Sequence, residues 1–413
     1  MRITIAGPSV YGLNNLSDDA MLTVFTRGLR EAVPEAEFVL LARHPGPEVD
    51  EAFGVKSTPN LDHANKKSSL GRWFRGLNAG DSTDHLRRIA DTIGSSDLLV
   101  IGADPFLEVT LDLYRGPAPY AALLVTLAKF LGIPVMFLGI HVGRPLQTEY
   151  GRQIARFCAG NASLVTVREE FSKRVLETLG LTGENIVALA DPAFGLAPGT
   201  PQQALLVLEK ESIPVPARPL IGVTFRHMYW KWNQGDWNFH SRTIAAVCDA
   251  LVEKAGADIL FIPHCTYDLD HKYEDDRPAA EEIVRQMRRQ DRAFQIKGRH
   301  CVDAMVSLFS LLSLVIANRR HSVIFGAIHG IPGVGIGEAW HMTPFMDELG
   351  LSEFFIPYDE FGPGKLESLC LDAWVKRATL SDRLRPVLPA LRQKAREHSA
   401  RAADLVIQRA RES

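Results

Sequence analysis

The sequence of 413 residues has few cysteines, almost no net charge and no long uninterrupted apolar segment. Its five cysteines form no C-x-x-C pair, which argues against a disulfide framework or a zinc site and fits a reducing compartment. Lys and Arg total 46 against 49 Asp and Glu, so no overall basic field would attract nucleic acid. The most apolar stretch, residues 120–142, is interrupted by Lys129, Pro134 and His141 and is unsuitable as a membrane span. The N-terminal MRITIAG does not resemble a signal peptide, and we therefore expect a cytoplasmic protein.

The pattern along the chain is an alternation of short β-rich segments with stretches of helical periodicity. Such alternation is typical of βαβ units. The fold class that we predict is therefore α/β, with mostly parallel sheets covered by helices on both faces. The predicted strands are residues 2–6, 39–42, 98–102, 135–140, 164–167, 186–190, 220–225, 258–263, 314–317 and 333–336.

Prolines are concentrated near the middle of the chain, where residues 198–219 contain five of them. That density predicts a linker between two α/β domains, residues 1–197 and 220–375. We expect the two domains to face one another across a cleft. Residues 376–413 are helical in pattern and carry ten Lys and Arg against four Asp and Glu. We expect this tail to present the solvated face of an amphipathic helix, with a membrane or partner contact as the alternative.

Polar side chains follow most of the predicted strands. In open parallel sheets, ligands bind outside the carboxyl ends of the strands, where helix N-termini also converge. The sharpest candidate is Arg319-Arg320-His321-Ser322, which joins a strand to a helix predicted from residue 323. Backbone N–H groups, guanidinium and imidazole together predict an anion site for phosphate or carboxylate, the alternative being a surface loop. Other strand ends carry Asn15, Asp18, Asp104, His141, Arg168, Asp191, Arg226, His227 and His264.

Three further segments allow two interpretations each. The aromatic segment 228–237, with Trp230 and Trp232, suits either a loop that stacks on an acceptor sugar or a hydrophobic lid. Residues 66–75 combine four cations with two aromatic residues and suit either an ordinary loop or contact with an anionic membrane. The acidic run 268–276 follows no EF-hand spacing, so we expect a solvated loop there and no metal site.

Five motifs, in order along the chain, are similar to those of the polysaccharide pyruvyl transferase family. N-L-S-D-D-A at 15–20 resembles N-x-G-D-x-A, and G-I-H-V-G-R-P at 139–145 resembles G-x-x-x-G-P. V-R-E-E-F-S at 167–172 resembles V-R-[DE]-x-x-S and is followed by A-D-P-A-F at 190–194. The most specific is R-R-H-S-V-I-F-G at 319–326, which resembles R-L-H-x-x-x-F-A. The resemblance implies two facing Rossmann-like domains of the GT-B type, with the C-terminal helices crossing back.

The resemblance also implies an activity. Members of the family transfer the pyruvyl group of phosphoenolpyruvate onto two hydroxyls of a sugar, forming a pyruvate ketal and releasing phosphate, with no cofactor. The acceptor would be a sugar or lipid-linked oligosaccharide, at the inner face of the membrane if the basic segments contact it. By motif position, the catalytic residues are His321, Arg168 and Arg319. The donor-binding residues would be Arg320, Ser322, His341 and Arg226, and the acceptor-binding residues Asn15, Asp18, His141, Asp104, Trp230 and Trp232.

The chain departs from the family pattern at His341, which stands where the family has the lysine of Y-D-P-K, and at Ser17, which replaces a glycine. An imidazole keeps some cationic capacity but lacks a permanent charge. Two other functions suit the same fold: a GT-B glycosyltransferase that uses a nucleotide sugar, and a non-catalytic sugar-binding relative. A glycosyltransferase would release a nucleoside diphosphate, whereas a pyruvyl transferase releases inorganic phosphate. A non-catalytic relative would bind the sugar without turnover.

Overall fold

A computed structural model describes residues 1–7, 11–12, 15–42, 44–60, 83–106, 117–143, 148–229, 231–267 and 272–412. The chain forms two compact units. Unit 1 comprises Met1–Gly195 together with Leu391–Ser413, and unit 2 comprises Leu196–Ala390. The predicted α/β class with parallel sheets is confirmed in both units. Within the described part of the chain, no helix is long and apolar enough to span a membrane.

Unit 1 is built on a seven-stranded parallel sheet. Its strands are β1 (Arg2–Ala6), β2 (Glu37–Ala42), β3 (Lys56–Pro59), β4 (Leu98–Ile101), β5 (Val135–Ile140), β6 (Leu164–Val167) and β7 (Ile186–Ala188). They lie in the order β3-β2-β1-β4-β5-β6-β7. Its helices are α1 (Leu16–Ala32), α2 (Pro47–Phe53), α3 (Thr83–Gly94), α4 (Pro117–Phe130), α5 (Glu149–Gly160), α6 (Glu170–Thr178) and, from the end of the chain, α14 (Leu388–Glu412).

Two hydrophobic clusters cover the two faces of this sheet. Strands β4 and β5 are buried along their whole length, which explains why their sequences are continuously apolar rather than alternating. One cluster joins the sheet to α3, α4 and α5, and the other joins it to α1 and α14. The α14 residue His398 fixes this helix, because its ring nitrogens lie 2.9 Å from Thr166 Oγ1 and 2.8 Å from the Ala190 carbonyl oxygen.

Unit 2 is built on a six-stranded parallel sheet. Its strands are β8 (Leu220–Thr224), β9 (Asp258–Phe261), β10 (Ala293–Gln295), β11 (Leu312–Ala317), β12 (Gly333–Gly337) and β13 (Phe355–Pro357). They lie in the order β10-β9-β8-β11-β12-β13. Its helices are α7 (Pro201–Lys210), α8 (Gln234–Ala255), α9 (Asp276–Gln286), α10 (Val302–Ser307), α11 (Arg320–Ile328), α12 (Ala339–Glu348) and α13 (Pro363–Leu384).

The structure differs from our expectation of a linker in residues 198–219, because this segment contains α7. Thr200 caps the helix in a capping box with Gln203, and Pro201 occupies the first turn, where proline is tolerated. Ala204 and Leu208 are fully buried, and α7 packs against α10 and the following 3-10 helix of unit 2. The prolines therefore start and flank a packed helix instead of forming an extended spacer.

Candidate functional site

The carboxyl ends of three neighbouring strands of unit 2 carry basic residues. Arg226 follows β8, His264 follows β9 and Arg319 follows β11. Because these strands are adjacent and parallel in the order β9-β8-β11, their ends lie at one edge of the sheet. We call Arg226, His264 and Arg319 the cationic cluster.

Arg319 is held by a buried aspartate. Its Nη2 donates to Asp276 Oδ1 at 2.6 Å, and Asp276 Oδ2 accepts from the backbone N–H groups of His264 (2.9 Å) and Cys265 (2.8 Å). Burial disfavours the charge of Arg319, but the Asp276 carboxylate outweighs this effect and raises its pKa. Arg319 Nε is buried and has no hydrogen-bond partner among the described residues. Asp276 thus fixes the guanidinium while leaving one of its donors available.

The other members of the cationic cluster disfavour further positive charge. Burial, followed by the charge of Arg319, lowers the pKa of Arg226 to about 10. Burial also holds the pKa of His264 well below its ordinary value, with the charges of Arg319, His321 and Arg226 acting in the same direction. An anion placed among these groups would relieve the repulsion.

His321 lies in the first turn of α11, next to the cluster. Its ring centroid is 6.2 Å from that of His264, and Ser322 Oγ lies 3.2 Å from His264 Nδ1. Helix α11 begins at Arg320, and Arg319 provides no side-chain cap for it. The uncapped N-terminus adds partial positive charge to the same edge of the sheet.

Helix α12 involves two residues that were predicted to bind the donor substrate, Arg320 and His341. The Arg320 guanidinium, which is buried, lies 4.6 Å from the Phe345 ring centroid in a cation–π contact. His341 lies in the first turn of α12, and its ring centroid is 5.5 Å from that of Trp340. Their role in donor binding stays a prediction.

Trp232 does not form the open sugar platform that we considered. It is 7% exposed, and its ring packs against aromatic side chains of unit 2. The packing partners are Phe225, Trp237, His240 and Tyr358. Such enclosure fits a core residue, because a stacking platform needs one open ring face. Trp230 and the basic segment 66–75 lie outside the described residues.

The surroundings of Arg168 in unit 1 contradict a second prediction, that this residue binds the anionic donor. It is 3% exposed, donates to Asp104 Oδ2 at 2.8 Å, and lies 3.6 Å from Asp191 and 3.9 Å from Glu169. Burial opposes its charge, but these carboxylates more than compensate and raise its pKa. A guanidinium enclosed by carboxylates is unsuited to binding the anionic donor that we assigned to it.

His141 and Asp104 belong to the same buried network. His141 Nδ1 lies 2.7 Å from Glu169 Oε1, and its backbone N–H donates to Asp104 Oδ1 at 2.8 Å. Ala103 and Asp104 have φ angles of 59° and 51°, a left-handed conformation that is unfavourable for residues other than glycine. Strain of this kind is concentrated at functional sites, because the surrounding contacts must compensate for it.

Asp18, at the start of α1, is a buried carboxyl group that titrates near neutral pH. Burial, followed by the charge of Asp104, raises its pKa from 3.8 to about 7. Asn15, the N-cap of α1, accepts from Ser17 N–H at 3.1 Å and donates to the Asp18 carboxylate. Asn15 thus contacts Asp18, and Asp18 lies near enough to Asp104 to feel its charge. The role of the three residues in acceptor binding stays a prediction.

The sequence analysis did not identify two residues near these sites, Asp276 and Tyr11. Asp276 belongs to the acidic run expected to be a solvated loop, yet it is 4% exposed and bound to Arg319; residues 268–271 of that run lie outside the described residues. Tyr11 is 2% exposed beside Asp18 and Asp104, and its position after the first strand was the available signal. Among the described residues, no group of three or more His, Cys, Asp or Glu could hold a metal ion.

Comparison with known proteins gives a family match over most of the chain. The family model described as polysaccharide pyruvyl transferase matches residues 18–339. The amylovoran biosynthesis protein AmsJ of Erwinia amylovora is 26% identical over 277 residues, which cover 65% of this chain and 63% of AmsJ. The chain thus aligns with slightly less than two thirds of that relative's length.

Solved structures of the same fold are more distant in sequence. A putative UDP-N-acetylglucosamine 2-epimerase from Listeria monocytogenes superposes with a TM-score of 0.63 at 12% identity, covering 100% of this chain and 97% of that one. HepE from Anabaena, solved with UDP, has a TM-score of 0.59 at 12% identity, covering 99% and 100% of the two chains. These likenesses confirm the predicted fold class of two Rossmann-like domains of the GT-B type.

Proposed function

The chain belongs to the polysaccharide pyruvyl transferase family, and we propose on that premise that it transfers the pyruvyl group of phosphoenolpyruvate onto two hydroxyls of a sugar. The products would be a cyclic pyruvate ketal and inorganic phosphate. The sugar would belong to a cell-surface polysaccharide or to its lipid-linked precursor, in line with the role in amylovoran biosynthesis that the name of AmsJ gives.

The observation that carries the proposal is the cationic cluster of unit 2. Phosphoenolpyruvate presents a phosphate and a carboxylate on a small frame, so it requires cations that approach it from more than one side. Arg226 and Arg319 lie at adjacent strand ends, and their mutual repulsion contributes to the depressed pKa of Arg226. Binding a multiply charged anion would remove that repulsion. Since Arg168 is enclosed by carboxylates, the proposal assigns the donor to unit 2 residues alone.

The chemistry needs three proton transfers, one to the donor carbon C3 and one from each sugar hydroxyl. A proton added to the methylene carbon C3 makes C2 electrophilic, and a sugar hydroxyl then forms an O–C2 bond as it loses its proton. The C2–O bond to phosphate breaks, phosphate leaves with the electron pair, and the second hydroxyl closes the ketal as it loses its own proton. His321, beside the cluster and at the start of α11, is the proposed proton donor to C3. The N-terminus of α11 would stabilise the departing phosphate.

A direct assay tests the reaction. The protein is incubated with phosphoenolpyruvate and p-nitrophenyl glycosides of galactose, glucose and mannose, while phosphate release is measured and the product is examined by NMR for a ketal carbon. We expect phosphate release that depends on both substrates. Release of a nucleoside diphosphate from a nucleotide sugar, with no reaction of phosphoenolpyruvate, would instead identify a glycosyltransferase.

A matched pair of arginine variants tests the donor site. Arg319 pairs with Asp276 at the carboxyl edge of the unit 2 sheet, and Arg292 pairs with Asp258, the first residue of β9, at the opposite edge. The two arginine side chains are similarly buried, at 13% and 12% exposure. We expect Arg319→Ala to abolish the thermal stabilisation given by phosphoenolpyruvate and Arg292→Ala to retain it. Equal losses in both variants would show that the effect is only structural.

His321→Asn tests the proton donor. The variant should still be stabilised by phosphoenolpyruvate, whereas its turnover should fall about 10²–10⁴-fold, the usual contribution of a general acid or base. Full turnover in His321→Asn would remove the imidazole from the mechanism.

A further inference from the structure

One carboxylate of unit 2 connects the ends of two strands that are not neighbours in the sheet. Asp276, the first residue of α9, is 4% exposed. Its Oδ2 accepts from the backbone N–H groups of His264 and Cys265, after β9, and its Oδ1 accepts from Arg319, after β11. Strand β8 lies between those two strands. Asp276 therefore fixes the chain on both sides of the strand whose end carries Arg226.

Asp276 holds Arg319 without occupying both donors on one side of the guanidinium. In another pair of unit 2, Arg289 donates to Asp291 through both Nε (3.1 Å) and Nη2 (3.0 Å), the usual forked arrangement. Arg319 instead donates through Nη2, and its Nε is buried with no hydrogen-bond partner among the described residues. Because two backbone N–H groups occupy the second oxygen of Asp276, the pair does not close into a fork. The Nε donor therefore stays available to a ligand.

The backbone that carries the two arginines of the cationic cluster is fixed as well. Asn318 Oδ1 accepts from the backbone N–H of Arg226 at 2.9 Å, and Asn318 Nδ2 donates to the Arg226 carbonyl oxygen at 3.0 Å. Arg319 directly follows Asn318 in the chain. The long side chain of Arg319 is then the part that still needs to be held. Fixing it before the ligand binds reduces the entropy that binding would otherwise remove.

We propose that Asp276 is the positioning residue of the donor site, which holds Arg319 through one N–H and leaves Nε to bind phosphoenolpyruvate. The inference rests on the proposed function, because Asp276 acts through Arg319 and not on the substrate. The carboxylate also has an opposing effect, since a negative charge near the site repels an anion. The inference requires the orientation of Arg319 to outweigh this repulsion.

Asp249 provides a matched control at the other end of the same helix. It is 3% exposed and, like Asp276, accepts from two consecutive backbone N–H groups, those of Arg288 (3.0 Å) and Arg289 (2.9 Å). Arg288 Nε lies 3.6 Å from it. These contacts lie just after α9, whose 11 residues span about 16 Å. A change at Asp249 thus alters a similar buried carboxylate of unit 2 without touching Arg319.

The experiment measures the binding of phosphoenolpyruvate to wild type, Asp276→Asn and Asp249→Asn by isothermal titration calorimetry. In Asp276→Asn the amide oxygen can still accept from the backbone, whereas the amide NH2 group would meet the donors of Arg319, so the ion pair is lost. We expect the Kd of Asp276→Asn to rise about 10–100-fold, the usual effect of losing a hydrogen bond to a charged group. The Kd of Asp249→Asn should stay within about threefold of wild type, because its carboxylate is remote from the donor site.

Circular dichroism at the temperature of the titration separates positioning from folding. A partly unfolded variant loses helical signal, whereas its folded fraction keeps the wild-type affinity. A raised Kd together with the wild-type spectrum in Asp276→Asn supports the inference. An unchanged Kd in folded Asp276→Asn would overturn it. Tighter binding would also overturn it, because Asp276 would then only repel the anion.

Arg319→Lys carries the test if Asp276→Asn does not fold. The ammonium of this variant can pair with Asp276, but a point charge does not reproduce the separate donors of a guanidinium. Its Kd for phosphoenolpyruvate should rise at least about tenfold, whereas Arg292→Lys, at the opposite edge of the sheet, should bind as wild type does. Wild-type affinity in Arg319→Lys would overturn the inference. Failure of wild type to bind phosphoenolpyruvate would instead refute the donor site of the proposed function, and this inference with it.

Discussion

The raised pKa of Asp18 predicts a pH dependence of protein stability that can be measured without any substrate. Its pKa is raised from 3.8 to about 7 in the folded protein, so between these pH values the folded state holds a proton that the unfolded chain has released. The contribution of Asp18 to the free energy of unfolding must then decrease as the pH rises from about 4 to about 7, and level off above that range. A pKa difference of about three between the folded and unfolded states lowers the free energy of unfolding by roughly 4 kcal/mol, at about 1.36 kcal/mol for each tenfold change in proton affinity.

The variant Asp18→Asn removes the group responsible for this loss. At about pH 3.5 the variant and wild type should have similar stability, because the wild-type carboxyl is then protonated in the folded protein and largely protonated in the unfolded chain. At pH 8 the variant should be more stable, by up to about 4 kcal/mol, or about 8–16 °C in Tm for a domain of this size. Differential scanning calorimetry from about pH 3.5 to 8.5 measures the difference. Asp19 contributes in the same direction, because the charge of Asp18 is one cause of its raised pKa and the variant removes that charge.

The control is Glu31→Gln, which removes a carboxylate from the exposed end of the same helix α1. This variant should follow the wild-type stability curve across the pH range, because a solvated carboxylate interacts weakly. If Asp18→Asn were less stable than wild type at pH 8, or if the two curves ran parallel, Asp18 would not be a desolvated carboxylate and the argument for its proton would be wrong.

Three further changes test the structural assignments. Arg168→Met leaves buried carboxylates without their cation and should destabilise the protein by about 3–5 kcal/mol in urea unfolding, whereas a donor-binding arginine would leave stability almost unchanged. Trp232→Ala should lower the free energy of unfolding by about 3–5 kcal/mol, because it removes a buried aromatic ring from the core. Unchanged stability together with a raised KM for the acceptor would instead support a role of Trp232 in sugar binding. His398, whose pKa burial lowers to about 4, takes up its proton more readily when unfolded, so its contribution to stability should fall as the pH drops from about 6.5 to about 4. His398→Ala should lose about 1–3 kcal/mol at pH 7, and this deficit should shrink towards pH 4; a constant deficit would contradict the assignment.

The central strands of both sheets were predictable from sequence, and most of the edge strands were not. Strands such as β4 and β5 are buried on both faces and therefore appear as continuous apolar segments. In contrast, β3, β10 and β13 are edge strands of three or four residues that are largely exposed or half-buried. A strand with one neighbour and partial burial leaves too little hydrophobic pattern to be recognised.

The candidate sites were also only partly predictable from the sequence. Position at a strand end was sufficient to bring Arg226, His264 and Arg319 to one edge, because parallel strands end together. The partners of each cation were not predictable, since Arg168 meets carboxylates from three separate segments of chain. The sequence shows where a charge lies along a strand but not whether another side chain neutralises it. For the same reason Asp276 looked like a solvated residue until its contact with Arg319 was known.

The return of α14 to unit 1 affects how the protein is made. Unit 2 is one uninterrupted stretch of chain, whereas unit 1 contains residues from both ends of the sequence. Ala402, Ala403 and Val406 belong to the core cluster that also contains Leu22 and Phe25 of α1. During vectorial synthesis on the ribosome, the first unit to begin emerging is thus the last to be completed, and its apolar face stays uncovered while the whole of the second unit is translated.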